Sequence, residues 1–592
     1  MSTRTRQWVF LLRLNWRTSP LRCWLIVATL VLDVFGQPAF ALALRNFADA
    51  VAADQHTAAL RDAVLAAALF SLSSQMPGAR NLLRRDVCER AGLILDGEVL
   101  DMTSGIPTVH HLEDPRSLDR IDAVTGRGAE LSNAVFSAAE TVATVLGLGT
   151  TLLVLATVSP ILLPTVLLCL PTLWLNRVGQ ARIRSARLRA AEAQRTADDL
   201  LQVFFDPTVA TELRVTGAGP MILNAYQRRW HTASRTVGSG MWRAGALLAV
   251  GWLVFLAGFT VALGFTAVRL RHGSASVGDL IMLLTVARQQ QGMLQNVVAQ
   301  VAQFMAGIHI ADAYWWLRGV AAESAPSATL PVPAALSHGI ELDRVSFSYP
   351  GTKVPVLRDI SAELPAGSLV ALVGSHGSGK TSLIKLLTGM YAPTSGRISV
   401  EHDSLQKLDP VAWRTRLTCG FQDFVHYPTL AHEAVGVGDL PAVDDLHEVR
   451  RAVAQGGATR VVERLDDGLM TQLDPVFGGV ELSGGQWQKL ALARTCMRRF
   501  PLLVVLDEPT AALDARSEYE VFQRQVELAR ELARRSGTIT IIVSHRFSTV
   551  RMADKILVLS QGSVIEDGDH QRLMALGGEY ARLYAMQEEA YA

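Results

Sequence analysis

The stretch SLVALVGSHGSGKTSLIKLLTG, residues 368–389, decides how this chain is read. An apolar run suited to a buried strand leads into a glycine loop and then into the start of a helix. Gly374, Gly379, Lys380 and Thr381 fit GxxxxGK[ST], with Ser375, Gly377, Ser378 and Ser382 as the small residues between and after them. Glycines let backbone N–H groups close around phosphates, and the helix N-terminus adds a favourable dipole. Lys380 can then reach the β- and γ-phosphates of a nucleotide, and the Thr381 hydroxyl can ligate Mg²⁺.

Working outward, PLLVVLDEPT at 501–510 reads as a buried strand ending in two carboxylates. Asp507 is placed to hold Mg²⁺ through water and Glu508 to polarise an attacking water, because phosphoryl transfer relies on positioning and charge stabilisation. On the other side, residues 321–337 form a proline- and alanine-rich linker, and the first lysine of the chain, Lys353, comes only after it. Strand and helix patterns alternate beyond the linker, so an α/β domain over 338–592 is expected.

ELSGGQWQKLALAR, residues 481–494, resembles the signature sequence of the ATP-binding cassette (ABC) superfamily, through Leu482, Ser483, Gly484, Gly485 and Gln486. The other elements follow in the family's order. Tyr349 in SFSYP resembles the aromatic that stacks on adenine, and Gln422 in GFQDF the glutamine linking metal and membrane domain. Asp514 in AALD is similar to the acidic loop that crosses the dimer, and His545 in VSHR to the switch histidine at the γ-phosphate. The resemblance implies a P-loop cassette binding ATP and Mg²⁺, in which the signature of one subunit completes the phosphate site of another. It therefore implies dimerisation. A homodimer is favoured because Glu508, His545, Gln422 and the signature are intact, with a related half-transporter as the other partner. One departure stands out: the family's exporters usually carry a glutamate five residues before the signature leucine, and here that position is Phe477.

The preceding 320 residues read as a membrane all-α domain. The whole chain has 592 residues, is 49% hydrophobic and has a mean hydropathy of +0.23. Spans of about 20 apolar residues are needed to cross a bilayer. Six are expected, at about 24–44, 58–76, 134–157, 161–175, 245–268 and 277–304. Arginines before the first span and after the second place the N-terminus and the cassette in the cytoplasm, and the resemblance implies the cytoplasmic membrane of a bacterial cell. A cleaved signal peptide over 1–41 is the rival, weakened by Asp33 within the apolar run and by an amphipathic stretch at Trp8 to Leu14. The excursions at 79–131 and 177–241 read as helices extending beyond the bilayer, bending at HLEDPRSLDR and FFDPTVATELR; 112–120 and 204–214 are the expected docking segments.

The sixth span is the odd one. LLTVARQQQGMLQNVVAQVAQF, residues 283–304, carries an arginine and six glutamines. On a helical period Arg288, Gln291 and Gln295 form one stripe and Gln289, Asn296, Gln300 and Gln303 the next, which suits a wet cavity. Asp33, Glu140 and Arg288 are ionisable groups inside membrane segments; they either pair with one another or lie near the interface, or else line a pathway. If they line it, the cargo is polar or amphipathic, such as a peptide or natural product. An ATP-driven exporter is the leading expectation; an importer of the same architecture, an ATP-gated channel and a soluble ABC ATPase are the alternatives. Cys23, Cys88, Cys169, Cys419 and Cys496 lack CxxC spacing and indicate neither disulfides nor zinc, and no basic patch with interleaved aromatics suggests nucleic acid.

Overall fold

The structure, a computed structural model, describes residues 3–158, 169–205, 207–324, 330–352, 354–509, 515–544 and 546–591. Contacts divide it into two units, Met1–Leu100 with Ile121–Trp316, and Asp101–Arg120 with Leu317–Ala592. The segment 101–120, within the expected membrane domain, thus packs with the cassette.

The first unit is helical. In chain order its elements are α1 (Thr3–Thr18), α2 (Pro20–Ala52), α3 (His56–Gly105), α4 (His110–Glu113), α5 (Pro115–Val124), α6 (Gly128–Val158), α7 (Cys169–Gln202), α8 (Pro207–Thr216), α9 (Gly219–Arg271) and α10 (Val277–Glu323); α4, the start of α5 and the ends of α3 and α10 lie in the second unit. Prolines mark several helix starts: a proline ring fits the first turn, while the residue before it is pushed out of the helical region. Asp114, between α4 and α5, accordingly has ψ 118°. The two long excursions are helical, with breaks near the expected places.

Helices α7 and α9 pack along a seam of small residues. A Cβ on Gly240 would lie 2.6 Å from the Cβ of Ala186, and the Thr172 hydroxyl donates to the Gly251 carbonyl at 3.0 Å. Backbones can approach this closely only where side chains are small, which is how apolar helices gain packing energy without a hydrophobic driving force. Helix α1 is more than a surface helix: Leu11 is buried, Trp8 meets Phe304 at 5.2 Å, and Asn15 exchanges hydrogen bonds with Ser132.

Among the described residues four helices are long and apolar enough to cross a membrane: Pro20–Ala52, His56–Gly105, Gly128–Ala156 and Gly219–Arg271. They contain the expected spans at 24–44, 58–76, 245–268 and nearly all of 134–157. Most of 161–175 lies outside the described residues. The stretch 277–304 is helical, within α10, but less apolar than those four.

Among the described residues the second unit holds ten strands: β1 (Gly339–Phe347), β2 (Leu357–Pro365), β3 (Leu369–Val373), β4 (Ser395–Val400), β5 (Asp403–Ser404), β6 (Leu417–Gly420), β7 (Leu503–Asp507), β8 (Ile539–Val543), β9 (Lys555–Ser560) and β10 (Ser563–Gly568). An antiparallel sheet, β2-β1-β4-β5, accompanies a six-stranded sheet, β10-β9-β3-β8-β7-β6, in which β9 through β6 run parallel. Strands β3, β7 and β8 are buried along their whole length, as parallel strands covered on both faces must be. Side-chain alternation divides β3: Val370 and Leu372 join Ile340, Val345 and Leu357 of the antiparallel sheet, whereas Leu369 joins Phe522 and Val526 on the opposite side. A second core unites α12 (Ala431–Gly436), α13 (Leu446–Gln455) and α14 (Gly484–Thr495).

The expected linker is partly pinned down. Leu336 is buried, its N–H donating to the Ser536 carbonyl, and the next three residues converge on Glu401. Burial alone would raise the Glu401 carboxyl, but the Ser337 hydroxyl and the N–H groups of Gly339, His338 and Ser337 hold it down at about 2. A depressed carboxylate contributes stability above its unfolded value of 4.5 and loses it as pH falls toward the folded one. Glu401→Gln is expected to cost about 1 kcal/mol of cassette stability near pH 7, with the gap to wild type narrowing between pH 5 and pH 3 in thermal melts.

Candidate functional site

The phosphate loop joins β3 to α11 (Lys380–Leu387). Three glycines in it, Gly374, Gly377 and Gly379, have positive φ. At Gly374 a Cβ would come within 2.2 Å of the Leu559 carbonyl oxygen, so only glycine lets β9 and the loop approach. Ser378 and Ser382 are buried beneath the turn, while Thr381 is exposed at its rim. The Lys380 ammonium donates to the carbonyls of Gly374 (2.7 Å) and Ser375 (3.0 Å). Burial lowers its proton affinity, and the carboxylates of Glu508 and Asp507 partly restore it.

Both carboxylates stand at the end of β7, one strand removed from β3 across β8. Asp507 is buried; desolvation and the charge of Glu508 raise its carboxyl above the ordinary range, against the pull of Lys380. A buried anion held in this way suits a site that receives a cation. Glu508 has φ 47°, a left-handed backbone fixed by its N–H bonding the Val543 carbonyl at 3.0 Å. Such strain, uncommon outside glycine, persists where the surroundings impose it. Gln422, exposed just beyond β6, lies past the same edge, since β6 pairs in parallel with β7. The fold therefore brings Lys380, Asp507, Glu508 and Gln422 to the carboxyl ends of adjacent strands. Asp514 and His545 lie outside the described residues.

Tyr349 follows β1. Its hydroxyl shares a 3.0 Å hydrogen bond with Ser382, and its ring meets Tyr391 edge-on at 5.5 Å. The signature residues sit elsewhere: Ser483 caps α14 in a capping box with Gln486, whose Oε1 accepts the Ser483 N–H at 2.7 Å. Ser483 and Gly484 are exposed, Gly485 and Gln486 half-buried, on the helical core rather than on the sheet that carries the phosphate loop. Phe477 is 63% exposed in a short turn beside Val476, which is 83% exposed.

In the first unit a cavity of about 560 Å³ is lined by α2, α3, α6 and α10. Asp33, Glu140 and Arg288 all line it, and two of them are also paired: Arg80 bridges Asp33 and Glu140, and Arg84 donates to Glu140 at 3.0 Å. Asp33 and Glu140 thus pair with arginines of α3 rather than with one another or with Arg288, and all three line the cavity. Arg288, Gln289, Asn296 and Gln300 face the cavity, and Oδ1 of Asp33 and Oε1 of Gln289 and Gln300 are buried atoms with no protein partner. Gln303 instead accepts from Ser137 and Asn133. The side chains of Gln291 and Gln295 are outside the described set.

Sequence reading missed Arg80 and Arg84 as partners, taking them only as topology markers; their spacing of four on one helix was the available signal. It also missed Glu113, Lys385 and Tyr391, whose meeting depends on tertiary contacts. Among the described residues no group of three or more His, Cys, Asp or Glu is placed to hold a metal by itself.

Comparison with known proteins agrees with this geometry. Residues 357–511 match the family model described as ABC transporter. The chain is 32% identical over 356 residues to an ATP-dependent lipid A-core flippase of Pseudomonas fluorescens, covering 58% of this chain and 55% of that one. It is 36% identical over 317 residues to a multidrug efflux ATP-binding/permease protein of Mycobacterium bovis, covering 53% of this chain and 25% of the other. The chain thus spans about half the length of the flippases it matches. A bacterial Atm1-family ABC exporter solved with ATP bound superposes with a TM-score of 0.75 at 24% identity, over 96% of this chain and 99% of that one. With a phosphate loop, a carboxylate pair and a signature helix on one cassette, residues 357–511 are similar to the ABC transporter family, and the chain as a whole shares the fold of a bacterial ABC exporter.

Proposed function

We propose that this chain is one subunit of a homodimeric, ATP-driven exporter of polar or amphipathic compounds in the bacterial cytoplasmic membrane. The observation that carries the reading is the convergence of Lys380, Asp507 and Glu508 at the strand ends of a cassette joined to a unit with four membrane-length apolar helices. Thr381, Gln422 and Asp507 are the residues suited to hold Mg²⁺, which supplies charge neutralisation at the phosphates. Lys380 binds phosphate oxygens, Tyr349 stacks on the base, and Glu508 orients a water. Ser483, Gly484, Gly485 and Gln486 of one copy, at the N-terminus of α14, close the site of the other through free N–H groups and the helix dipole. Asp514 and His545 complete it. Six spans, with the glutamine-rich part of α10 as the last, give an inward-facing N-terminus and cassette.

Relatives named for lipid A-core and for multidrugs favour an amphipathic cargo, and the cavity's mixture of ions, amides and apolar walls supports one. The test is ATP-dependent uptake into inverted vesicles holding the purified chain. Arg288→Ala is expected to cut transport and substrate-stimulated turnover about three- to tenfold, the worth of one lost hydrogen bond. Equal transport in the variant would remove Arg288 from the pathway, and the absence of any ATP-dependent flux across a compound panel would overturn export.

A further inference from the structure

The segment between α3 and α6 meets the cassette next to the nucleotide-site tyrosine. Glu113, last residue of α4, accepts a hydrogen bond from the Lys385 ammonium at 2.6 Å and another from the Tyr391 hydroxyl. The same ammonium lies over two rings, 5.5 Å from the centre of Tyr349 and 5.9 Å from that of Tyr391. Lys385 stands on α11, five residues beyond Lys380, and Tyr349 is tied to that helix again through Ser382. The segment is anchored on either side: Val109 packs on the cassette's main core, and Arg414 donates to the Pro107 carbonyl at 2.6 Å. Burial alone would raise the Glu113 carboxyl, but the hydrogen bonds from Lys385 and Tyr391 bring it below the ordinary range, so it is charged at neutral pH.

We infer that Glu113 is a positioning residue for the nucleotide base, acting through Lys385 and Tyr391 on the orientation of Tyr349. The inference rests on the reading of Tyr349 as the ring that stacks on adenine. A flexible lysine stem holds a ring in place only if its ammonium is itself fixed, and the Glu113 carboxylate fixes it. With the ammonium against one face and the hydroxyl tied to Ser382, Tyr349 keeps its opposite face for the base. Without the carboxylate the ammonium is free to turn to solvent, and the ring loses its backing. Linkage makes the effect reciprocal: whatever tightens the base tightens the docking of 101–120 on the cassette.

The experiment is calorimetric titration of the full-length protein in lipid nanodiscs with ATP and with inorganic tripolyphosphate, which has phosphates and no base. Glu113→Gln is expected to weaken ATP about three- to tenfold and to leave tripolyphosphate unchanged. Lys385→Arg, which keeps the cation, should hold ATP near wild type. The double variant with Tyr349→Ala should be no weaker than Tyr349→Ala alone. An unchanged ATP affinity in Glu113→Gln, an equal loss for tripolyphosphate, or additive losses in the double variant overturns the inference. If Tyr349→Ala itself leaves ATP affinity intact, the base-stacking assignment fails first, and the two failures are told apart.

Discussion

Glu508→Gln is expected to lower steady-state ATP turnover about 10³-fold while ATP still binds. The substitution is close to isosteric and the local backbone does not depend on the carboxylate. It is held at φ 47° by a main-chain bond to Val543, which a glutamine makes equally well. What is lost is the negative charge that, in the proposed site, orients and polarises water. Binding is retained for a second reason: Glu508 is one cause of the raised carboxyl of Asp507, so neutralising it lets Asp507 ionise more readily for Mg²⁺. Phosphate release and nucleotide binding measured side by side check this, and turnover within tenfold of wild type would reassign the water-orienting residue.

Gly484→Asp is expected to lower hydrolysis at least 100-fold with no loss of thermal stability. A Cβ at Gly484 meets nothing within 4 Å, so the fold has room for the side chain. A carboxylate in the first turn of α14 is even favourable to that helix, because it faces the positive end of the dipole. Within one chain the change is therefore benign. It is harmful only if another copy's γ-phosphate must approach this helix, where like charges repel in a site closed to water. ATP affinity of the open protein should be near wild type, since Lys380 and its loop are untouched. Full activity in Gly484→Asp would mean that the signature does not complete a phosphate site.

The cassette's fold was legible in the sequence because its turn and strand signals are local. GSHGSGKTS carries its own turn geometry, and strand periodicity with buried β-branched runs marks β3, β7 and β8. The helical breaks at 106–109, 114 and 203–205 were legible for a similar reason, since a proline at 107, 115 and 207 punctuates the chain in place. The meeting of Glu113 with Lys385, 272 residues apart, left no such mark. Nor did the Arg80 bridge between Asp33 and Glu140: a charge in an apolar run signals that a partner exists but not which one. The glutamine helix shows both sides. Its period identified Gln289, Asn296 and Gln300 as one face, but only the packing of α6 turned Gln303 away to Ser137.

Lys380 is held in place by its own loop, its ammonium donating to two loop carbonyls at 2.7 and 3.0 Å. A phosphate that binds there exchanges one set of hydrogen-bond partners for another, so the freedom of the lysine stem is lost on folding rather than on binding.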